Sequence, residues 1–169
     1  MTEQQSSIGS SAIDDDARSQ FYHLARKHID SLNPKYREKA VISRLLSGTI
    51  INILQNKQCS EKITGRFSRW CRETFVLRAI GGHYHLSDRK AMKPVLLYED
   101  MYDVYRTSHI QTAHGGRDKC LEHIAVNYSW ANRALLQIFI AHCSSCQIRK
   151  SIKTNIVSKP IIALGTIFF

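Results

Sequence analysis

His109-Ile110-Gln111-Thr112-Ala113-His114 and, twenty-eight residues further on, Cys143-Ser144-Ser145-Cys146 decide how this 169-residue chain is read. The first stretch is H-x4-H and the second C-x2-C. Two imidazoles and two thiolates are a four-ligand set of the kind that closes tetrahedrally around zinc, and a C-x2-C turn brings two sulfurs toward one point. Taken separately, the pairs have an ordinary alternative: two core or surface histidines and two buried thiols. Their ordered combination favours the metal. A Cys143–Cys146 disulfide is disfavoured, because five cysteines without a signal peptide point to a reducing compartment. Cys120, His123 and His142 compete as ligands. His142 is adjacent to Cys143 and should point away from the site, and His123 should lie on the helix side away from Leu121 and Ala125. The expected ligands are therefore His109, His114, Cys143 and Cys146, and the expected ion is Zn2+.

The flanks narrow the reading. They run H-I-Q-T-A-H-G-G-R-D-K-C-L-E-H-I-A-V-N-Y-S-W from His109 to Trp130, and C-S-S-C-Q-I-R-K from Cys143 to Lys150. This resembles the zinc-binding H2C2 domain of retroviral and gypsy-type retrotransposon integrases. Those domains look like H-x4-H-x-G-x-x-K-T, then Y-Y-W-P, then C-x2-C-Q-x-x-K, and the corresponding positions here include Gly116, Lys119, Tyr128, Trp130, Gln147 and Lys150. The resemblance covers roughly residues 93 to 150. It implies the same four ligands, held in a small helical domain. Cys120 stands where the family has Thr and Ala131 where it has Pro. Losing that Pro should weaken the next helix start, since Pro pre-sets the first helical turn. In the resembled family, chemistry belongs to a separate core with two metal ions and three carboxylates. The 23 residues after Cys146 contain no Asp or Glu, so that core is not expected here.

Composition sets the partner class. Hydrophobic residues are 43% of the chain, compatible with a packed core, and no apolar run is long enough to span a bilayer. Net charge is +10, from 24 Lys and Arg against 14 Asp and Glu. Residues 17–99 hold 16 basic and 6 acidic side chains, whereas residues 100–150 hold 6 and 4, so the excess lies upstream of the H2C2 stretch. A basic chain of this size favours a polyanion, most simply nucleic acid, with an ordinary solvated Lys- and Arg-rich surface as the bland alternative.

The expected fold is mainly α with a small antiparallel β-hairpin or sheet, and a zinc-stabilised helical H2C2 module toward the C-terminal side. Residues 1–16 read as a disordered tail, with Asp14, Asp15 and Asp16 flanking a helix N-terminus. Residues 17–73 read as a basic helical segment. Its first helix buries Phe21, Leu24, Ala25 and Ile29 and stops at Asn33-Pro34. A second helix over about 36–55 turns Ala40, Ile42, Leu45, Leu46, Ile50 and Ile53 inward, weakened in the middle by Gly48. A third, opening near Ser60 and Thr64, buries Phe67, Trp70 and Cys71. On its other side Lys62, Arg66, Arg69 and Arg72 form the best candidate for a phosphate-contacting face, joined by Lys150 as a further nucleic-acid residue. Residues 74–98 read as strand, Gly81-Gly82 turn and strand, with 94–98 as a third apolar run. His83 and His85 should be exposed. Residues 99–150 form the H2C2 module, with Met101, Val104 and Tyr105 inward on its first helix, Leu121, Ile124 and Ala125 on the second, and Ala134, Leu135, Ile138 and Phe139 on the third. Residues 151–169 are an apolar tail that could pair as a strand, dock on the domain, or be an aberrant terminus. A module of this size buries little apolar area, so metal should supply much of its folding free energy, and losing one ligand should unfold 109–146.

No enzyme is expected. Four protein ligands leave no open position on zinc, and no Walker loop, G-x-S-x-G elbow or H-E-x-x-H helix occurs. Cys71 and Cys120 fall on apolar helix faces and should pack. Two uses remain: a zinc-dependent, retroelement-derived module that binds nucleic acid, DNA by resemblance, or a protein-interaction module that self-associates, as integrase zinc domains do. Neither needs a membrane or a small-molecule substrate. A nuclear or cytoplasmic location follows from the suspected partner alone.

Overall fold

The computed structural model describes residues 7–37, 39–57 and 64–155, and the expectations for Lys62 and for the tail beyond 155 fall outside them. Among the described residues eight helices and one hairpin follow in order: α1 (Ser7–Ser31), α2 (Pro34–Arg37), α3 (Arg44–Leu54), α4 (Gly65–Thr74), β1 (Phe75–Ile80), β2 (His83–Asp88), a 3-10 turn (Tyr98–Asp100), α5 (Met101–Gln111), α6 (Arg117–Ala125), α7 (Arg133–Ala141) and α8 (Ser144–Asn155). The fold is thus mainly helical with one two-stranded antiparallel sheet.

Two apolar cores form. In the first, α1 lays Phe21, Ala25 and Ile29 against Met101, Tyr102 and Tyr105 of α5, Cys120 and Ile124 of α6, and Leu135 and Leu136 of α7. Edge-to-face aromatic contacts tie it together, including Phe21 with Tyr105 at 6.1 Å between ring centres. The second core joins Ile42, Ile50, Ile53, Cys71, Phe75, Leu86 and Val95. Trp70 and Trp130 pack on Phe75 at its edge. Adjacent residues belong to different cores, Val95 to the second and Leu96 to the first.

Several boundaries differ from the sequence expectations, each for a local reason. Helix α1 begins at Ser7, ten residues before Ala17, so the Asp14–Asp16 run lies inside it and does not flank its N-terminus. Asp14 instead makes tertiary contacts, pairing with Arg106 at 3.1 Å and accepting from the Tyr102 hydroxyl at 3.1 Å. The helix expected over 36–55 is broken. Ser43 is extended (φ −75°, ψ 163°) and its hydroxyl accepts from Leu46 N, which restarts the helix there. That start fixes the phase: Ser47, Ile50 and Ile53 turn inward, while Leu45 is 84% exposed, contrary to expectation. The hairpin forms as read, with Leu77 opposite Leu86 and Arg78 opposite His85. Gly81 and Gly82 supply its turn at φ 58° and 81°. Residues 94–98 are not a third strand. Val95 N donates to Leu86 O and Leu96 N to Ser129 O, both at 2.9 Å, so the segment bridges to different partners on its two sides before Tyr98 starts the 3-10 turn. Pro94 has no N–H with which to extend a ladder. On α6, Cys120 is buried as expected, but Ala125, expected to face inward, is exposed. Among the described residues no helix is long and apolar enough to cross a membrane.

Candidate metal centre

His109 lies in the last turn of α5 and is 1% exposed. The chain must then reverse within five residues to bring His114 back beside it. It does so with two consecutive left-handed residues, Ala113 (φ 54°) and His114 (φ 58°). Hydrogen bonds close the reversal: Ala113 N donates to Ile110 O at 2.9 Å and His114 N to His109 O at 2.7 Å. Thr112 anchors it from below, its hydroxyl donating to Ser108 O at 2.9 Å. Left-handed backbone at a residue with a Cβ is disfavoured by about 1–2 kcal/mol, so the turn is strained where the second imidazole is presented. Gly115 follows because there is no room for more: a Cβ there would lie 3.0 Å from Thr112 Oγ1 and 3.1 Å from Lys119 Cδ.

The two cysteines of the cluster come from the α7–α8 junction. Asn132 starts α7, its side chain accepting from Ala134 N and Leu135 N, so the helix start after Trp130, expected to be weak, is held by a side-chain cap. α7 ends at His142, and Gln147 N donates to Cys143 O, which places Cys143 at the start of α8 and Cys146 in its first turn. A helix N-terminus favours negative charge, so both sulfurs sit where thiolates are stabilised.

The four side chains converge. Their ligand atoms all lie within 4.8 Å of one another. His109 Nε2 is 3.2 Å from Cys146 Sγ, and His114 Nδ1 is 3.5 Å from Cys143 Sγ and 3.8 Å from Cys146 Sγ. Bonds of 2.3 Å to sulfur and about 2.0 Å to nitrogen at tetrahedral angles require N···S edges of about 3.5 Å. The observed separations straddle that value, so this group could hold a metal ion. The tautomers agree: His109 Nδ1 lies 3.1 Å from Gly115 O, so it carries the proton and leaves Nε2 bare, while His114 presents Nδ1. Burial, then the neighbouring His114, lowers the His109 pKa below its ordinary value and keeps the ring neutral. Burial, then the adjacent Cys143 thiol, raises the pKa of Cys146. Two thiolates this close repel, and a cation between them removes the repulsion.

The competing residues stay outside the cluster. His142 is exposed and its Nδ1 meets Ile138 O at 2.9 Å. His123 faces a separate pocket between α5 and α6. Cys120 is fully buried behind the His109 ring, 3.7 Å from Nδ1 and 3.3 Å from Thr112 Oγ1. Cys71, the other inward cysteine, is buried in the second core, and burial pushes its thiol up to about 11. Of the expected phosphate contacts, Arg66, Arg69 and Arg72 are exposed on α4, with Arg72 also reaching Asn56 Oδ1 at 3.1 Å. Lys150 is exposed on α8. The sequence reading missed Thr112, Gly115 and Asn132; only the Ser/Thr/Asn and Gly types at helix ends could have signalled them. Comparison with protein-family models, with curated proteins and with solved structures found no match.

Proposed function

We propose that the chain is a zinc-binding, integrase-like H2C2 module, and that it binds nucleic acid, DNA by the resemblance. The observation that carries the zinc reading is the meeting of two imidazole nitrogens and two sulfurs, in H-x4-H and C-x2-C order, at edges suited to a tetrahedral ion. A mixed N2S2 set favours zinc over the hard, oxygen-seeking cations. His109, His114, Cys143 and Cys146 would hold it, and four protein ligands give it a structural role with no catalytic step. The polyanion reading rests on charge. The net +10 is concentrated upstream of the zinc stretch, and the α4 arginines face solvent. Such a partner is met in the nucleus or the cytoplasm.

Metal analysis of the purified protein tests the first half: one zinc per chain is expected, falling to none in Cys143→Ser. Salt titration tests the second. Affinity for DNA should fall linearly in log–log form with added salt, and no binding at low salt would end the nucleic-acid reading. A second use of the fold, zinc-dependent self-association, is favoured by exposed Ile110 and Val126, 52% and 66% accessible on the zinc-bearing half. A monomer at all concentrations in sedimentation with zinc bound would dispose of it.

A further inference from the structure

The ribbon of β1 and β2 is anchored at one end only. Phe75 and Leu86 are buried in the second core and Leu77 packs on its edge. The pairs beyond them, Ala79 with Tyr84 and Ile80 with His83, carry the ribbon outward to the Gly81-Gly82 tip. Directly opposite strand residues share a face, so the face holding Leu77 and Leu86 continues into Tyr84. The residue directly opposite it is Ala79, a single methyl, and Tyr84 is 68% exposed. Aromatic residues favour strands in any case, so exposure alone decides nothing. The surroundings decide it. Residues 64–93 carry seven Arg and Lys against two acids. Asp88, one of the two, is occupied by Trp130 Nε1 at 2.9 Å and by the backbone N–H of Lys90 and Ala91. Among the described residues, no carboxylate pairs with Arg66, Arg69 or Arg78, and every ion pair lies elsewhere. On the ribbon's other face Arg78 stands opposite His85.

We infer that the outer half of this ribbon is a platform for unpaired nucleobases, with Tyr84 as the stacking ring and the α4 arginines engaging the phosphate backbone. This rests on the nucleic-acid reading above. Base pairing and stacking hide base faces inside a duplex, so an uncovered ring selects single-stranded segments, while cations along the same stretch supply the sequence-independent attraction.

The test uses the full, zinc-loaded chain and one labelled oligonucleotide sequence as single-stranded DNA, single-stranded RNA and duplex DNA, read by fluorescence anisotropy at low salt. Tyr84→Ala should weaken single-strand binding about ten-fold, the scale of one stacked base. Tyr84→Phe should bind as the parent does, and duplex affinity should not change. Arg66→Gln with Arg69→Gln should flatten the single-strand salt slope by about 1.4, two phosphate contacts' worth. A parent chain that binds single strands equally well with Tyr84→Ala overturns the platform and leaves the proposed function standing. So does a parent chain that binds duplex alone. No binding to any of the three overturns both. Unchanged hydrogen-exchange protection over residues 75–88, together with unchanged zinc content, shows that the fold survived in each variant. Comparing the DNA and RNA strands says which of the two sources of unpaired bases is preferred.

Discussion

On the proposed zinc reading, removing the ion should open one corner of the molecule and leave the rest closed. The corner is the reversal from His109 to Gly115. Two left-handed residues, Ala113 and His114, oppose it by about 2–4 kcal/mol in all. Three hydrogen bonds favour it: Ala113 N to Ile110 O, His114 N to His109 O, and His109 Nδ1 to Gly115 O. At about 0.5–1.5 kcal/mol each they return about 1.5–4.5 kcal/mol. The two sums nearly cancel, so without an ion the turn is open for a substantial part of the time. With zinc, whose binding to small domains is worth about 10–16 kcal/mol at neutral pH, it is closed. The first core behaves differently from what chain length suggests, because α1 adds Phe21, Ala25 and Ile29 to it. It should persist after chelation. Hydrogen exchange with mass detection, run with and without a zinc chelator, reads this directly. Peptides covering 109–116 and 142–147 should lose at least about 100-fold in protection, and those covering 44–54 and 75–88 should not change. Undiminished protection at 109–116 in verified metal-free protein would refute the strain argument. Loss of protection in the hairpin as well would refute the independence of the second core.

Ala113→Gly should stabilise the protein by about 0.5–1 kcal/mol. Ala113 is exposed with φ 54°, so no packing is lost, and relief of left-handed strain outweighs the extra chain entropy of glycine. Thermal unfolding with zinc bound would show a rise of a few degrees, and a fall would contradict the reading. Asp88→Ala should destabilise by about 1–3 kcal/mol, because Trp130 Nε1 and two backbone N–H groups lose their acceptor; chemical denaturation measures it. In metal-free protein the lowered His109 pKa gives a definite sign. Below its ordinary value of 6.5 the unfolded chain binds a proton that the folded ring resists. Stability therefore falls as pH drops from 6.5 through the folded value, and the dependence should vanish in His109→Gln.

Residue types and spacing carried much of the architecture. The His/Cys cluster was legible because H-x4-H with C-x2-C, written in the order of the chain, is a pattern whose four side chains can meet at one point. The hairpin was legible because Gly81-Gly82 sits between two runs of strand-forming residues, and positive φ at both turn positions is glycine's preference. Phase was harder. Leu45 reads as inward by spacing alone, but the Ser43 hydroxyl starts α3, and one cap residue sets the phase of every side chain after it. Asp14 looked like a helix flank because its partners, Tyr102 and Arg106, are some ninety positions away, a distance no local pattern reports. The run 94–98 looked like a strand because apolar alternation is the same whether one partner or two accept its hydrogen bonds.

Val95 and Leu96 point to opposite sides of a single stretch of backbone, one into each core. That stretch is a party wall. Excising the ligand-bearing half at residue 99, as a minimal fragment would, strips Leu96 from the half retained and leaves its inner surface unclosed. It discards α1 at the same stroke. A fragment meant to stand alone must therefore keep residues from both ends of the chain.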